Sequence, residues 1–370
     1  MTISQTTAAL FEPFTTGNLQ LKNRIVMAPM TRTFSPGGVP GPNVAGYYRR
    51  RAENEVGLII TEGTVINHPA AAADHGVPHF YGEEALAGWA RVVREVHEAG
   101  GKIAPQIWHT GTARDASKFP DANIDSIGPS GLNLSGEKVS EPLTTEEIHG
   151  LVGAYAQAAA DAKRLGFDAV EIHGAHGYLI DQFFWDVTNK RTDEYGGDLV
   201  GRTRFAVEVI EAVRAAVGPD FPIIFRFSQW KPGAYDAKLA KNAQELEQFL
   251  ARLSAAGVDI FHASTRRFWE PEFADSDLNL AGWTRKLTGK PAITVGSVGL
   301  DSEFTSLFES GKGGEAASLD KLIERLGRGE FDLVAVGRAL LSDPAWAAKI
   351  RDGRIEELQP FTREALATLS

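Results

Sequence analysis

Short apolar runs recur along the chain and alternate with stretches of helical spacing. Residues 24–30, 58–61, 102–108, 168–172, 222–227, 259–263, 291–295 and 332–336 are mostly apolar. Such runs mark strands buried on both faces of a parallel sheet. Between them, residues 44–54, 83–99, 144–165, 199–217, 243–256, 277–287 and 319–326 read as helices. In 83–99, for example, Leu86, Trp89, Val92, Val93 and Val96 share one face. Thr144 followed by Glu147 has the form of a capping box, and Gly166 stops that helix.

Eight such units without a composition break predict a closed (β/α)8 TIM barrel, an α/β fold, in a single domain over 1–370. Residues 11–14 and 19–21 flank Gly17-Asn18 and predict an N-terminal hairpin that closes the bottom of the barrel. The stretch from about 110 to 143 breaks the rhythm and is rich in Gly, Ser, Pro, Asp and Asn. It reads as a lid insertion after strand three. A last helix over 345–351 precedes a tail that, from Leu358, is left to pack on a neighbouring copy.

The polar residues then acquire a pattern. Thr31, Gly63, Gln106, His109, His173, Gly296 and Gly337 all follow or end the apolar runs, and Arg226 lies one residue inside the fifth. In a barrel, the C-terminal ends of the strands carry the active site. The segment His173-Gly174-Ala175-His176-Gly177-Tyr178 places two imidazoles and a phenol at one such end. They suit holding a polar oxygen and delivering a proton beside it, or ligating a metal, or simply satisfying structural hydrogen bonds. Gly296-Ser297 and Gly337-Arg338 follow the last two strands, where barrels often bind phosphate. Taken singly, those glycines merely permit turns. Gln106 and Arg226 offer an amide and a fixed cation, suited to the pyrimidine edge of a flavin. No Gly-x-Gly-x-x-Gly follows a strand, so a Rossmann site is not signalled.

Composition narrows the classes. A net charge of −10 without a basic stripe argues against nucleic acid. The absence of Cys removes disulfides, thiol catalysis and Cys-ligated clusters. No basic-then-apolar leader and no apolar run of membrane length is present, so a cytoplasmic protein without membrane contact is expected, as monomer or homodimer.

The chain resembles the Old Yellow Enzyme family of FMN-dependent ene-reductases. The resemblance rests on Ala28-Pro29-Met30-Thr31, Glu62-Gly63, Gln106-Ile107-Trp108, His173 to Tyr178, Asn189 to Gly197 with Arg202, and Gly337-Arg338, in family order. It implies FMN as cofactor and NADPH or NADH as hydride donor. Pro29, Met30, Gly63 and Gln106 would line the flavin ring, Thr31 would meet O4, and Arg226 would sit by N1 and O2. Gly296, Ser297, Gly337 and Arg338 would hold the phosphate. His173 and His176 would bind the carbonyl oxygen of a small α,β-unsaturated carbonyl compound, with Trp108 beside them. Hydride from N5 would reach the β-carbon, and Tyr178 would protonate the α-carbon.

Two departures bear on that reading. Many members carry His and Asn where this chain has His173 and His176. Trp230, Phe268, Trp269 and the insertion have no assigned place in the family pattern and are expected to shape the pocket. Two alternatives stand beside it: a metal-dependent barrel hydrolase using His109, His173 and His176, with Glu62 and Glu171 as the only carboxylate partners at strand ends and Arg226 opposing a cation, and an FMN-binding barrel without turnover. Asn189 to Gly197 is read as a loop held by ion pairs.

Overall fold

The computed structural model describes residues 7–115, 117, 124–303 and 313–370. After a two-stranded hairpin, β1 (Phe14–Thr16) and β2 (Leu19–Leu21), eight parallel strands close into a barrel. They are β3 (Ile25–Met27), β4 (Leu58–Val65), β5 (Lys102–Trp108), β6 (Val170–Gly174), β7 (Ile223–Ser228), β8 (Ile260–Ser264), β9 (Ala292–Val295) and β10 (Leu333–Val336). β10 pairs with β3 to complete the ring. All eight expected strands are present in order. β4 runs four residues beyond its expected end because a bulge between Ile60 and Gly63 lets it continue along β5. In the bulge, the Thr61 hydroxyl accepts from the Gln106 N–H at 3.1 Å.

Strand periodicity sorts each buried run into two environments. Ile25, Ile59, Ile103, Val170, Ile223, Phe261 and Val334 pack in the outer core against the helices. Their neighbours Val26, Leu58, Ala104, Ala169, Ile224, Ile260, Ile293 and Leu333 pack inside the barrel, together with Phe14, Leu19 and Leu21 of the hairpin. The hairpin therefore plugs the bottom, as expected. Two residues further along the same inward rows, the apolar series gives way to Gln106, Glu171, Arg226 and His262, all buried. The same period that fills the lower barrel with hydrocarbon thus fills its upper layer with polar groups.

The helix Thr145–Leu165 has the expected cap: the Thr144 hydroxyl accepts from the Glu147 N–H and the Glu147 carboxylate accepts from the Thr144 N–H. Two short helices replace expected loop, Leu179–Phe184 directly after Tyr178 and Arg338–Ser342 directly after Gly337. The segment Asn189 to Gly197 is held as expected: Arg191 pairs with Asp193, and Asn189 Nδ2 donates to the carbonyls of Phe183 and Tyr195. The sequence left the place of the tail open. The tail returns to its own barrel, where Arg32 Nη2 donates to the carbonyls of Ala365 and Thr368 at 3.0 and 2.7 Å. Arg50 and Arg51 hold the carbonyls of Leu369 and Ser370. Three arginines capture a segment that has no strand or long helix of its own.

Among the described residues, no helix is long and apolar enough to cross a membrane. Residues 116 and 118–123 of the expected lid lie outside the described residues.

Candidate active site

A cavity of about 570 Å³ opens at the C-terminal ends of the strands. Pro29, Met30, Thr31, Gln106, Trp108 and Arg226 line it, with His173, His176 and Tyr178 on one side and Gly296, Ser297, Gly337 and Arg338 on another. Of the expected site residues, only Gly63 is missing from the wall. It stands in register with Gln106, and a Cβ there would lie 2.4 Å from Trp108 Cε3. Its missing side chain makes room for the indole.

The imidazole side is rigidly built. His173 and Trp108 stack with ring centres 6.0 Å apart and an 18° interplanar angle. Tyr178 stands edge-on to both, at 4.8 Å from Trp108 and 5.0 Å from His173. The His173 and His176 rings lie 5.3 Å apart at 89°. The turn between strand and helix needs support, because His176 has φ +61°, a region disfavoured for a residue with a Cβ. The Ser228 hydroxyl accepts from its N–H at 3.0 Å. The next N–H, of Gly177, donates to Asp181 at 2.7 Å, and fully buried Lys231 pairs with the same carboxylate oxygen at 3.0 Å. A buried ion pair of this kind is costly to break from one side, at roughly 3–5 kcal/mol. It therefore fixes the turn that carries His176 and Tyr178.

Electrostatics set the protonation states. Burial pushes both imidazoles well below the usual histidine range, and the Arg226 cation adds to that. They are neutral donors at pH 7. Burial raises the Tyr178 phenol, so it carries its proton at pH 7. Its hydroxyl has no protein partner among the described residues.

Beneath them lies a polar layer that joins the expected Gln106 and Arg226 to Glu171, His262 and Ser264. Gln106 Nε2 donates to Glu171 Oε1 at 2.8 Å, which leaves the amide oxygen of Gln106 for a ligand. His262 Nδ1 meets Glu171 Oε2 at 2.7 Å, and both residues are fully buried. Arg226 Nη2 donates to Ser264 at 3.4 Å, while its Nε is buried without a partner. Glu171, His262 and Ser264 occupy the same inward rows as His173 and Arg226, so strand parity was the available signal.

The far side is built on main chain and one cation. Gly296 has φ +133°, and a Cβ there would lie 2.6 Å from the Thr265 carbonyl. Arg338 is held by the Ser302 and Glu303 carbonyls and lies over the Phe361 ring at 5.5 Å. Burial lowers its guanidinium to about 10, which leaves it a cation at pH 7.

Other expectations meet a different outcome. Trp230 does line the cavity, with its ring 4.7 Å from that of His176. Phe268 is buried in the outer core instead, and Trp269 packs beside it. The described residues of the insertion after β5 do not line the cavity; Leu134 and Thr112 pack on the segment from Gly177 to Gln182. His109 is buried against His68, with Nε2 to Nδ1 at 3.0 Å. Among the described residues, no group of three His, Cys, Asp or Glu is placed to hold a metal.

Comparison with known proteins bears on this cavity. The model of the NADH:flavin oxidoreductase / NADH oxidase family matches residues 9–357. An NADH oxidase of Thermoanaerobacter brockii is 34% identical over 363 residues, covering 95% of this chain and 52% of its own length. 12-oxophytodienoate reductase 7 of Oryza sativa subsp. japonica is 44% identical over 231 residues, covering 58% of this chain and 57% of its own. The chain thus spans only about half the length of these curated relatives. A structure of morphinone reductase in complex with tetrahydroNAD superposes with a TM-score of 0.81 at 30% identity, covering 97% of this chain and 94% of that one.

Proposed function

Because the chain belongs to the NADH:flavin oxidoreductase / NADH oxidase family, the Old Yellow Enzyme family, we propose that it is an FMN-dependent ene-reductase driven by NADPH or NADH. The cavity fits the cofactor on its own terms. Arg226 offers a buried Nε without a partner, Gln106 an amide oxygen with its nitrogen already engaged, and Arg338 a fixed cation at the opposite side. Pro29, Met30 and Thr31 line the wall between these polar groups, and Gly296, Ser297 and Gly337 the wall beside Arg338. Bound there, FMN would supply what side chains lack, a carrier of hydride between a nicotinamide and an alkene.

The chain's own residues do the rest. Hydride addition to an enone gathers negative charge on its carbonyl oxygen. His173 and His176, neutral and preset, donate hydrogen bonds to that oxygen, each worth roughly 2.7–4 kcal/mol if it acts as an oxyanion-hole donor. Tyr178 delivers its proton to the α-carbon. Trp108 and Trp230 wall the alkene off from water. Relatives named as reductases of 12-oxophytodienoate and of morphinone point to small α,β-unsaturated carbonyl compounds as substrates.

One observation carries this reading: a single cavity joins an unpartnered phenol and two neutral imidazoles to Arg226 and Arg338. The test is the absorption spectrum of the purified protein under anaerobic titration. A flavin band that bleaches with NADPH or NADH and returns with cyclohexenone is expected. A protein that neither contains nor takes up FMN overturns the reading. Changing His173 and His176 together to Ala should weaken phenol binding while FMN stays bound; loss of FMN instead would move the pair to a structural role.

A further inference from the structure

The two imidazoles are held by different nitrogens. The Ala175 N–H donates to His173 Nδ1 at 3.3 Å, so a neutral His173 carries its proton on Nε2. His176 is engaged at its other nitrogen, with Nε2 2.8 Å from the Ser264 hydroxyl. The direction of that bond decides what His176 can offer. Ser264 Oγ also accepts from Arg226, and a guanidinium can only donate. Ser264 is 2% exposed, and His176 Nε2 is the acceptor within reach of its O–H. If His176 Nε2 carried the proton, both neighbours of this buried oxygen would be donors and the serine proton would have no acceptor.

We propose that Ser264 is a positioning residue that donates its hydroxyl proton to His176 Nε2 and so holds the imidazole proton on Nδ1. His173 and His176 are then fixed in opposite tautomers and present Nε2–H and Nδ1–H, respectively, to one carbonyl oxygen. No protein partner occupies His176 Nδ1 among the described residues. The rest of the residue is equally constrained. Ser228, which pairs in register with Ser264 on the adjacent strand, holds the His176 N–H. Trp230 covers one ring face and donates Nε1–H to the Ser264 carbonyl at 3.2 Å. A neighbouring pair of strand ends thus fixes the backbone, the ring plane and the tautomer of a single side chain.

This proposal rests on the carbonyl-site reading above, yet its test is independent of it. Long-range 1H–15N spectra of 15N-histidine-labelled holoenzyme, assigned with His176→Asn, report the protonated nitrogen without any substrate. The expected spectrum shows His176 with Nδ1–H in the wild type and a mixture of tautomers in Ser264→Ala. Ser264→Thr, which keeps the hydroxyl, restores the single Nδ1–H form. Affinity for a phenol should fall roughly tenfold in Ser264→Ala, the order of one neutral hydrogen bond, and recover in Ser264→Thr. A wild-type His176 protonated on Nε2, or a tautomer unmoved in Ser264→Ala, overturns the proposal. Failure of the carbonyl site is read elsewhere, as unchanged phenol affinity when both histidines become Ala.

Discussion

At the His173 side of the cavity, the lining polar groups are side chains held by other side chains; at the Arg338 side they are glycines and one arginine held by carbonyls. The first side stores its precision in replaceable parts. His176 keeps a left-handed backbone only because Ser228, Asp181 and Lys231 satisfy the turn around it. The second stores its precision in the path of the chain: at Gly296, both φ and the nearby Thr265 carbonyl forbid a side chain. Chemistry and cofactor retention should therefore be lost separately, the first by substitution at the His173 side and the second by substitution at the Arg338 side.

Tyr178→Phe makes the deepest cut. General acid catalysis contributes roughly 10²–10⁴-fold, so enone reduction should slow by that order. Reduction by NADPH or NADH and FMN content should be nearly unchanged, because the phenol hydroxyl supports no other residue. Stopped-flow measurement of the two half-reactions checks this. Equal slowing of both would show that the imidazole side also serves the cofactor, and the proposed division would fail. Arg338→Ala is the converse and milder cut. Losing one charge-assisted contact to phosphate should weaken FMN binding by roughly 10–100-fold. Enzyme saturated with FMN should then turn over almost normally. Gly296→Ala sharpens the contrast, since FMN loss there should come with a lower Tm. An unchanged FMN affinity in both variants would remove the phosphate from this side.

The barrel and most of this cavity were legible in the sequence because both follow from short-range rules. Eight apolar runs declare eight buried strands, and polar residues at their ends fall together once the ring closes. What escaped notice were residues whose role depends on parity across strands. His262 and Ser264 read as unremarkable within their own run, yet both stand on the inward row already marked by Arg226. Counting by two from Arg226 along β7 and carrying the register to β8 would have found His262. The tail was not legible for a different reason. Its residues carry no periodic pattern, and its position is set by Arg32, Arg50 and Arg51, more than 300 residues earlier. Phe268 and Trp269 were drawn toward the mouth by their place after β8, but the loop turns and buries Phe268 in the outer core.

The smallest effect on catalysis is expected from Glu62→Gln, which probes the wall between the two sides. The Arg32 and Thr33 N–H groups both donate to Glu62 Oε2, at 2.8 and 3.2 Å, and so anchor the segment that carries Met30 and Thr31 into the cavity. Burial raises this carboxyl from 4.5 to about 7, against the opposing pull of those hydrogen bonds and of Arg32. Between those two values the folded protein holds a proton that the unfolded chain has released. Its contribution to stability is thus fully present at low pH and is lost as pH climbs toward 7 and beyond. A glutamine keeps one oxygen to accept both N–H groups and cannot titrate. Relative to the variant, the wild type should lose stability between about pH 5 and pH 8, on the order of 2–3 kcal/mol. FMN content and turnover at pH 6 should match in the two proteins. Thermal unfolding at pH 5 and pH 8 measures the difference. Parallel Tm values across that interval would mean that the carboxyl is already ionised in the folded state and that its hydrogen bonds and the Arg32 charge offset its burial.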